Sequence, residues 1–470
     1  MRIGVIKIKQ IVSNKYFIFL IPSPLILNLF YNLLNGNKLI ENINLTDLIS
    51  SIFIFSFFLM IGKCFNLINP NLNITFGIIC YLFSFFLVEL LILFFLQDMS
   101  INYSFGITNM LWAFYFLKNL NEKKYFFIII FSYFTMFFFN NQFFESMTLN
   151  PNLLGDVYDV FYPNTEKIYN RSYFQSVSEP AMIGYPQFLS YLDAMIYKIT
   201  FGSKSYNFFP STTFLFFWLN ILLFSELKIK KLNKIFLIVT FSTLILNSLW
   251  MQFLFTTSLM SERLTGYLFL GILVTFFQNY TNKMPNIKLI LFVLSFIYLT
   301  KQFFSTLIII FFVIFLLTKR LRKYSIYLLS SLFIKELSYI TYFKYVPKDH
   351  HIRQIDVLDT IIDLLLFRDL ELNNITIIFK NLLIDKPFSV IFFTYIIFFF
   401  CSAIFSDLKS IEKYTYFVIP IANLLLVLAL YISVWKNMEL QSPLRYIYAY
   451  LQFYLISIAY NFETFSRAFK

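Results

Sequence analysis

Long apolar runs separated by short polar clusters extend through the whole chain. The runs are about 17–25 residues long, which is the length that an α-helix needs to cross a bilayer. The predicted spans are 14–33, 48–66, 73–96, 102–118, 125–141, 209–226, 235–254, 263–279, 288–301, 303–318, 324–342, 388–406, 414–434 and 445–461. Two of them, 288–301 and 303–318, are short and are alternatively a re-entrant pair. The pattern predicts an all-α, polytopic transmembrane helical bundle of about 14 spans, with roughly 11–14 as the range.

The composition supports lipid as the solvent of this bundle. Of the 470 residues, 59% are hydrophobic and 13% are charged, and the mean hydropathy is +0.70. Soluble domains carry about 25% charged residues, roughly twice as many. A water-soluble core has no room for so much Phe and Ile, so we expect an integral, multi-pass membrane protein.

Basic residues account for the net charge of +13 and are concentrated in short loops between the predicted spans. These clusters are 118–124, 228–234, 281–288, 319–323 and 409–413. Short basic loops stay in the cytoplasm, so the two long loops, 141–208 and 343–387, are predicted to face outward. Both termini then lie inside, with 462–470 as a cytoplasmic tail. This distribution favours contact with anionic membrane lipid and excludes a nucleic-acid partner.

The N-terminus is basic up to Gln10, and the apolar run that follows has no small-residue cleavage site. We interpret it as a retained helix and not as a signal peptide.

Two acidic residues in the first outer loop are the first candidates for chemistry. Asp156 and Asp159 directly follow a predicted span, and a spacing of three places them on one face if the segment is helical. A carboxylate at the membrane surface can act as a general base or hold a divalent cation. The alternative is a pair of loop acids that solvate a helix end.

The same loop continues into a predicted interfacial helix. Pro186 suits the first turn of a helix, and the apolar positions after it keep a helical period. These positions are 188, 189, 192, 195, 196 and 199. We expect this helix to lie in the membrane interface beside a site for a lipid-borne substrate.

These motifs, in this order, resemble the GT-C superfamily of membrane glycosyltransferases, in the branch of protein O-mannosyltransferases and lipid A aminoarabinose transferases. In one bacterial subset, an outer loop carries an Asp, an aromatic residue five positions on, a Pro at seven and a Tyr at thirteen, followed by a helix led by Tyr-Pro. The matching residues here are Asp156, Phe161, Pro163, Tyr169 and Tyr185-Pro186. The chain departs from the pattern with Phe161 in place of Trp, Asn164 in place of Lys, and Gln187 where Pro or Leu is common.

Three later patches fit the same resemblance, which covers about residues 125–460. They are Ser261-Glu262-Arg263, Thr300-Lys301-Gln302 and Ser442-Pro443-Leu444-Arg445-Tyr446. All are predicted at outer ends of spans. The resemblance implies a GT-C-like catalytic region over 125–461, preceded by an N-terminal transmembrane extension of about four helices over 1–124.

The resemblance further implies transfer of a sugar from a polyprenyl-phosphate carrier to a glycan, lipid or protein acceptor. Asp156 is the expected general base, with Asp159 and Glu262 as further acids, and Lys301 and Arg445 are expected to bind the donor phosphate. The expected pocket-lining residues are Phe161, Tyr169, Tyr185 and Tyr446. For a monophosphate leaving group two cations can suffice without a metal, and a Mg²⁺ or Mn²⁺ ion held by Asp156 and Glu262 is an alternative. The expected location is a bacterial inner membrane, with the site facing the periplasm or exterior.

Two other classes stay open. An O-antigen polymerase or ligase is also many-spanned, but the arginines that it would use are scattered here at Arg171, Arg353 and Arg368. A transporter or flippase needs polar groups near the bilayer midplane, where we find little besides Lys335 and Glu336. In the second long loop, the adjacent His350 and His351 serve either acceptor recognition or Zn²⁺ binding, or are simply exposed.

Overall fold

The computed structural model describes fourteen stretches of the chain, and its elements are helical. The described residues are 45–96, 101–120, 162–170, 188–199, 208–246, 261–281, 286–299, 312, 314–319, 321–328, 372–384, 386–404, 411–433 and 451–468. The helices are α1 Leu45–Ile68, α2 Ile74–Leu96, α3 Ile101–Asn119, α4 Tyr162–Asn170, α5 Phe188–Ile199, α6 Phe208–Glu226, α7 Lys231–Leu246, α8 Ser261–Thr281, α9 Ile287–Ser295, α10 Asn373–Ile384, α11 Lys386–Ile404, α12 Ile411–Ser433 and α13 Leu451–Ala468. A 3₁₀ turn, Phe296–Leu299, follows α9.

The all-α class is confirmed for these residues, which are 92% helical and contain no strand. Helices α1 and α2 closely match the predicted spans 48–66 and 73–96. Within the described part of the chain, α2 is the one helix that is both long and apolar enough to cross a membrane by length and composition. The count of about 14 membrane crossings stays a prediction.

The described helices share one hydrophobic core, which extends from Ile54 in α1 to Ala459 in α13. Helix α2 packs against α1, α3 and α8, while α6 packs along α1. Helix α13 packs against α11, α12 and α7. Helices from both sides of residue 124 therefore contribute to the same core.

Two glycines let α1 and α2 approach closely. A Cβ atom at Gly62 would lie 2.5 Å from the carbonyl oxygen of Ile74 and 2.8 Å from its Cγ2. A Cβ at Gly77, on the facing helix, would lie 2.9 Å from the Cβ of Phe65. Small residues at such crossings allow backbones to pack directly, which is a device of helix pairs in membranes.

We expect Gly62→Ala to destabilise the protein by about 1–3 kcal/mol, because the new methyl group meets a backbone oxygen that cannot move without shifting α2. The usual effect of Gly→Ala inside a helix has the opposite sign, a gain of roughly 0.5–1 kcal/mol. Thermal unfolding in detergent measures the difference. Gly106→Ala, at a half-buried position of α3, is the control and should be neutral or stabilising. An equally stable Gly62→Ala variant would refute the close crossing.

Helix α3 exposes large apolar side chains and directs polar side chains toward its neighbour α2. One stripe of large apolar side chains is 40–69% exposed. It consists of Tyr103, Ile107, Met110, Leu111, Phe114 and Leu117. The opposite face packs on α2, where Tyr81 donates a hydrogen bond to Asn109 (2.8 Å) and Trp112 donates one to Ser84 (2.8 Å). A water-soluble helix has the reverse arrangement, with its apolar stripe inward.

Candidate functional site

Most residues of the predicted site lie outside the described residues. They are Asp156, Asp159, Phe161, Tyr185, Lys301, Arg445 and Tyr446, and the same holds for Lys335, Glu336, His350 and His351. Glu262 belongs to the first turn of α8, but its side chain is also outside the described set. Tyr169 lies buried near the end of α4. The convergence of the predicted side chains therefore stays a prediction, and the structure defines the helices that flank them.

The first outer loop contributes two helices that pack together, α4 and α5. Helix α4 begins at Tyr162, six residues after Asp156, and a chain of six residues spans at most about 22 Å. Helix α5 confirms the helix predicted after Pro186, and Phe188, Leu192 and Met195 on its apolar face are buried. The predicted base is thus tethered to a packed helical pair.

Aromatic contacts attach this pair to the bundle at α2. The Phe188 ring stacks on Phe83 with centroids 5.2 Å apart and meets Phe86 edge-on at 5.0 Å. Tyr191, one turn further along α5, meets Phe86 at 5.7 Å. Contacts of this kind stabilise by roughly 0.5–1.5 kcal/mol each beyond the area that they bury. Helix α5 is therefore part of the core, although it belongs to a predicted loop.

The segment that precedes Lys301, the predicted phosphate-binding residue, also packs on Phe83 of α2. Phe296, in the 3₁₀ turn that ends two residues before Lys301, lies 5.4 Å from Phe83 between ring centroids. Phe83 thus contacts both Phe188 from the outer loop and Phe296 from the segment that leads to Lys301. Helix α5, which packs on α4, and the segment that precedes Lys301 therefore contact the same side chain of α2.

A buried carboxyl group lies beside this junction. Glu89 is 2% exposed, and the hydroxyl groups of Ser104 and Tyr191 form hydrogen bonds with its carboxyl group. The two hydroxyl oxygens are 2.7 Å apart. The second carboxyl oxygen, Oε2, is buried and has no hydrogen-bond partner among the described residues. Acid, serine and tyrosine come from α2, α3 and α5, so this cluster, which we name the outer cluster, joins three elements.

Sequence analysis missed Glu89, although a signal was present. It is the one acidic residue in the 23 residues of α2. A lone ionisable residue within an apolar span faces the protein interior and marks a functional site by default. The pattern that singled out Lys335 and Glu336 as charges within predicted spans also applies to Glu89.

A second carboxylate, Glu226, caps the opposite end of α2. Its Oε1 accepts a hydrogen bond from the backbone N–H of Ile74 at 2.7 Å, and its Oε2 accepts one from that of Thr75 at 3.1 Å. The first N–H groups of a helix have no partner within it, and the helix dipole favours a negative charge there. Glu226, the last residue of α6, therefore holds the start of α2.

Further hydrogen bonds join four helices at this end, which we name the inner cluster. Gln278 of α8 donates to the backbone carbonyl of Glu226 (2.9 Å), and Lys234 of α7 donates to that of Ser225 (2.7 Å). Asn279 donates to the carbonyl of Asn71, in the turn before α2 (2.9 Å). Inner and outer cluster are separated by the 14 residues from Thr75 to Glu89, or about 21 Å of helix.

The inner cluster agrees with the alternation of loops inferred from charge. That alternation assigns the loops near residues 66–73, 226–235 and 279–288 to the same, cytoplasmic side. Hydrogen bonds bring the ends of these three loops together, as a common side requires. Glu89 and the contacts of α5 lie in the middle and second half of α2, away from the inner cluster.

The described residues contain no group of three or more His, Cys, Asp or Glu side chains suited to a metal ion. The pair named for a divalent cation, Asp156 and Glu262, lies outside the described side chains. No family model matches the sequence, and no curated protein or solved structure matches it significantly. The resemblance to GT-C enzymes therefore supports a proposal and not an assignment.

Proposed function

We propose that the protein is a polytopic membrane glycosyltransferase that moves a sugar from a polyprenyl-phosphate carrier to an envelope glycan, lipid or protein. The observation that carries this proposal is the junction on Phe83. There α5, from the predicted outer loop, and the segment that leads to Lys301 pack on the same side chain near the middle of α2. A transferase of this kind needs its base and its phosphate-binding cation at one level of the membrane.

The exposed surface supports a membrane location. The apolar stripe of α3 runs over the 15 residues from Tyr103 to Leu117, a rise of about 21 Å. Helix α11 exposes a second stripe, in which Val390, Phe393, Ile397 and Phe400 are 50–65% exposed. Large exposed apolar patches are rare on soluble monomers, whereas lipid tails solvate them without cost.

The proposed reaction takes place at the outer headgroup level. An acceptor hydroxyl attacks the anomeric carbon of the donor, a new C–O bond forms, and the C–O bond to the phosphate breaks. The phosphate leaves with the bonding electrons, and Asp156 takes the acceptor proton, with inversion at the anomeric centre. Arg445, by a bidentate contact, and Lys301, as a point charge, offset the charge of the leaving phosphate. Glu262 orients the acceptor or tunes Asp156.

A second candidate function is that of a flippase or transporter for the same kind of lipid, and the buried acid Glu89 favours it. A buried acid within an apolar helix is a common feature of transport pathways. Glu89 lies four residues, or about 6 Å of helix, past the midpoint of α2, so its depth is compatible with this candidate.

The two candidate functions predict that the donor accumulates in different leaflets of the membrane in cells that lack the protein. We expect mass spectrometry of lipid extracts to show a polyprenyl-phosphate sugar in deleted cells and the loss of that sugar from the envelope fraction. In intact spheroplasts, impermeant periodate should oxidise the accumulated sugar, because it waits in the outer leaflet. A sugar that is protected from periodate would indicate a flippase, and no accumulation would contradict both candidates.

A further inference from the structure

Glu89 is the strongest unexplained group among the described residues. Its side chain is almost completely buried, 15 residues after the start of α2, and Oε2 has no hydrogen-bond partner in the described part of the chain. Removing a carboxyl group from water is costly, and replacing a buried ionisable group by an apolar one often leaves stability unchanged or increases it. Stability alone therefore does not explain an acid at this position.

The contacts of Glu89 are directed at the outer loop. Of its two hydroxyl partners, Ser104 gives its single proton to the carbonyl of Ile101 at 2.8 Å, within its own helix. Tyr191 belongs to α5, and its hydroxyl group also reaches the carbonyl oxygen of Phe85 at 3.5 Å. The polar contacts of Tyr191 thus fix the rotation of α5 about its axis. The apolar contacts of Phe188 alone restrict this rotation less, because apolar packing is not directional.

We propose that Glu89 is a positioning residue for two helices of the predicted outer loop: through Tyr191 it fixes α5, and through α5 it fixes the packed helix α4, which begins six residues after Asp156. The role of Asp156 in this statement rests on the proposed function, whereas the fixation of α5 does not. A misplacement of about 1 Å in a catalytic group can cost roughly 100-fold in rate, so a distant anchor of this kind matters.

The test compares Glu89→Leu with Glu89→Gln in the full-length protein. Leu removes both hydrogen bonds at similar volume, and Gln keeps an acceptor in the same shape. Hydrogen exchange followed by mass spectrometry reports peptides from 162–170 and 188–199. We expect Glu89→Leu to accelerate exchange in these peptides by about tenfold, with an apparent melting temperature equal to or above that of the wild type. Glu89→Gln should retain most of the protection.

Two further variants separate positioning from a general loss of structure. Tyr191→Phe removes the hydroxyl group but keeps the ring, and it should reproduce the local loosening of Glu89→Leu. Ser84→Ala is the matched control, because Ser84 accepts a hydrogen bond from Trp112 across the same α2–α3 interface. It should leave exchange in α4 and α5 unchanged.

The outcomes distinguish this proposal from the proposed function. Local loosening together with a loss of sugar transfer of about 10- to 100-fold supports both. Local loosening in a protein whose wild type transfers no sugar supports the anchor and refutes the transferase. Unchanged hydrogen exchange in Glu89→Leu and Tyr191→Phe overturns the positioning role of Glu89. Faster exchange throughout the protein, with a lowered melting temperature, also overturns it, because it shows a purely structural role.

Discussion

Asp156→Asn is expected to abolish most sugar transfer while leaving the folded protein in the membrane. Asn has nearly the same shape as Asp but cannot take the acceptor proton, and a positioned general base contributes about 10²–10⁴-fold to a rate. Transfer is measured as the release of radiolabel from the lipid fraction of membranes that contain equal amounts of each variant. Cells with Asp156→Asn should also accumulate the lipid-linked sugar as deleted cells do.

Two variants serve as controls for this result. Asp159→Asn changes the same charge three residues further on and should reduce transfer much less, because Asp159 is proposed only as a further acid. Asp407→Asn lies in the predicted cytoplasmic loop and should have no effect. Normal transfer by Asp156→Asn, or equal losses at both loop positions, would contradict the assignment of Asp156 as the base.

Glu226→Leu is expected to destabilise the protein by removing the cap at the start of α2. The substitution leaves the N–H groups of Ile74 and Thr75 without their acceptor, and each buried donor without a partner costs about 1–3 kcal/mol. Glu226 is half-buried, so water can replace part of the cap, and we expect a loss of about 2–3 kcal/mol in total. The apparent melting temperature of the purified protein in detergent reports it.

Glu226→Gln provides the graded comparison. Its amide oxygen can accept one of the two hydrogen bonds but carries no charge for the helix dipole, so its melting temperature should lie between those of the wild type and Glu226→Leu. Glu166→Leu, at a half-buried position of α4, is the matched acidic control and should cause a smaller change. A Glu226→Leu variant as stable as the wild type would show that the cap is energetically unimportant.

The helices were largely predictable because the polar clusters at the ends of each apolar run limit where its helix can begin and end. Backbone polar groups must be paired within an apolar solvent, so a long apolar run between polar clusters predicts a helix with definite ends. Helices α1, α2, α3 and α6 begin and end within about three residues of the predicted spans. The helix after Pro186 was predicted from the period of its apolar positions, and its location in the membrane interface stays a prediction.

The two clusters were not predictable because they depend on contacts between distant parts of the sequence. Glu226 follows Ile74 by 152 residues, and Tyr191 follows Ser104 by 87. Apolar periodicity does not determine which helices become neighbours or how each is rotated against the next. Glu89 was detectable as a lone acid in an apolar run, but its partners Ser104 and Tyr191 were not.

The inner cap also constrains how the protein is made. At about 5–20 residues per second, the ribosome adds Glu226 roughly 8–30 s after Ile74. During this interval the first N–H groups of α2 have no carboxylate to cap them, so water must solvate them instead. The start of α2 is therefore completed only after α6 has been synthesised.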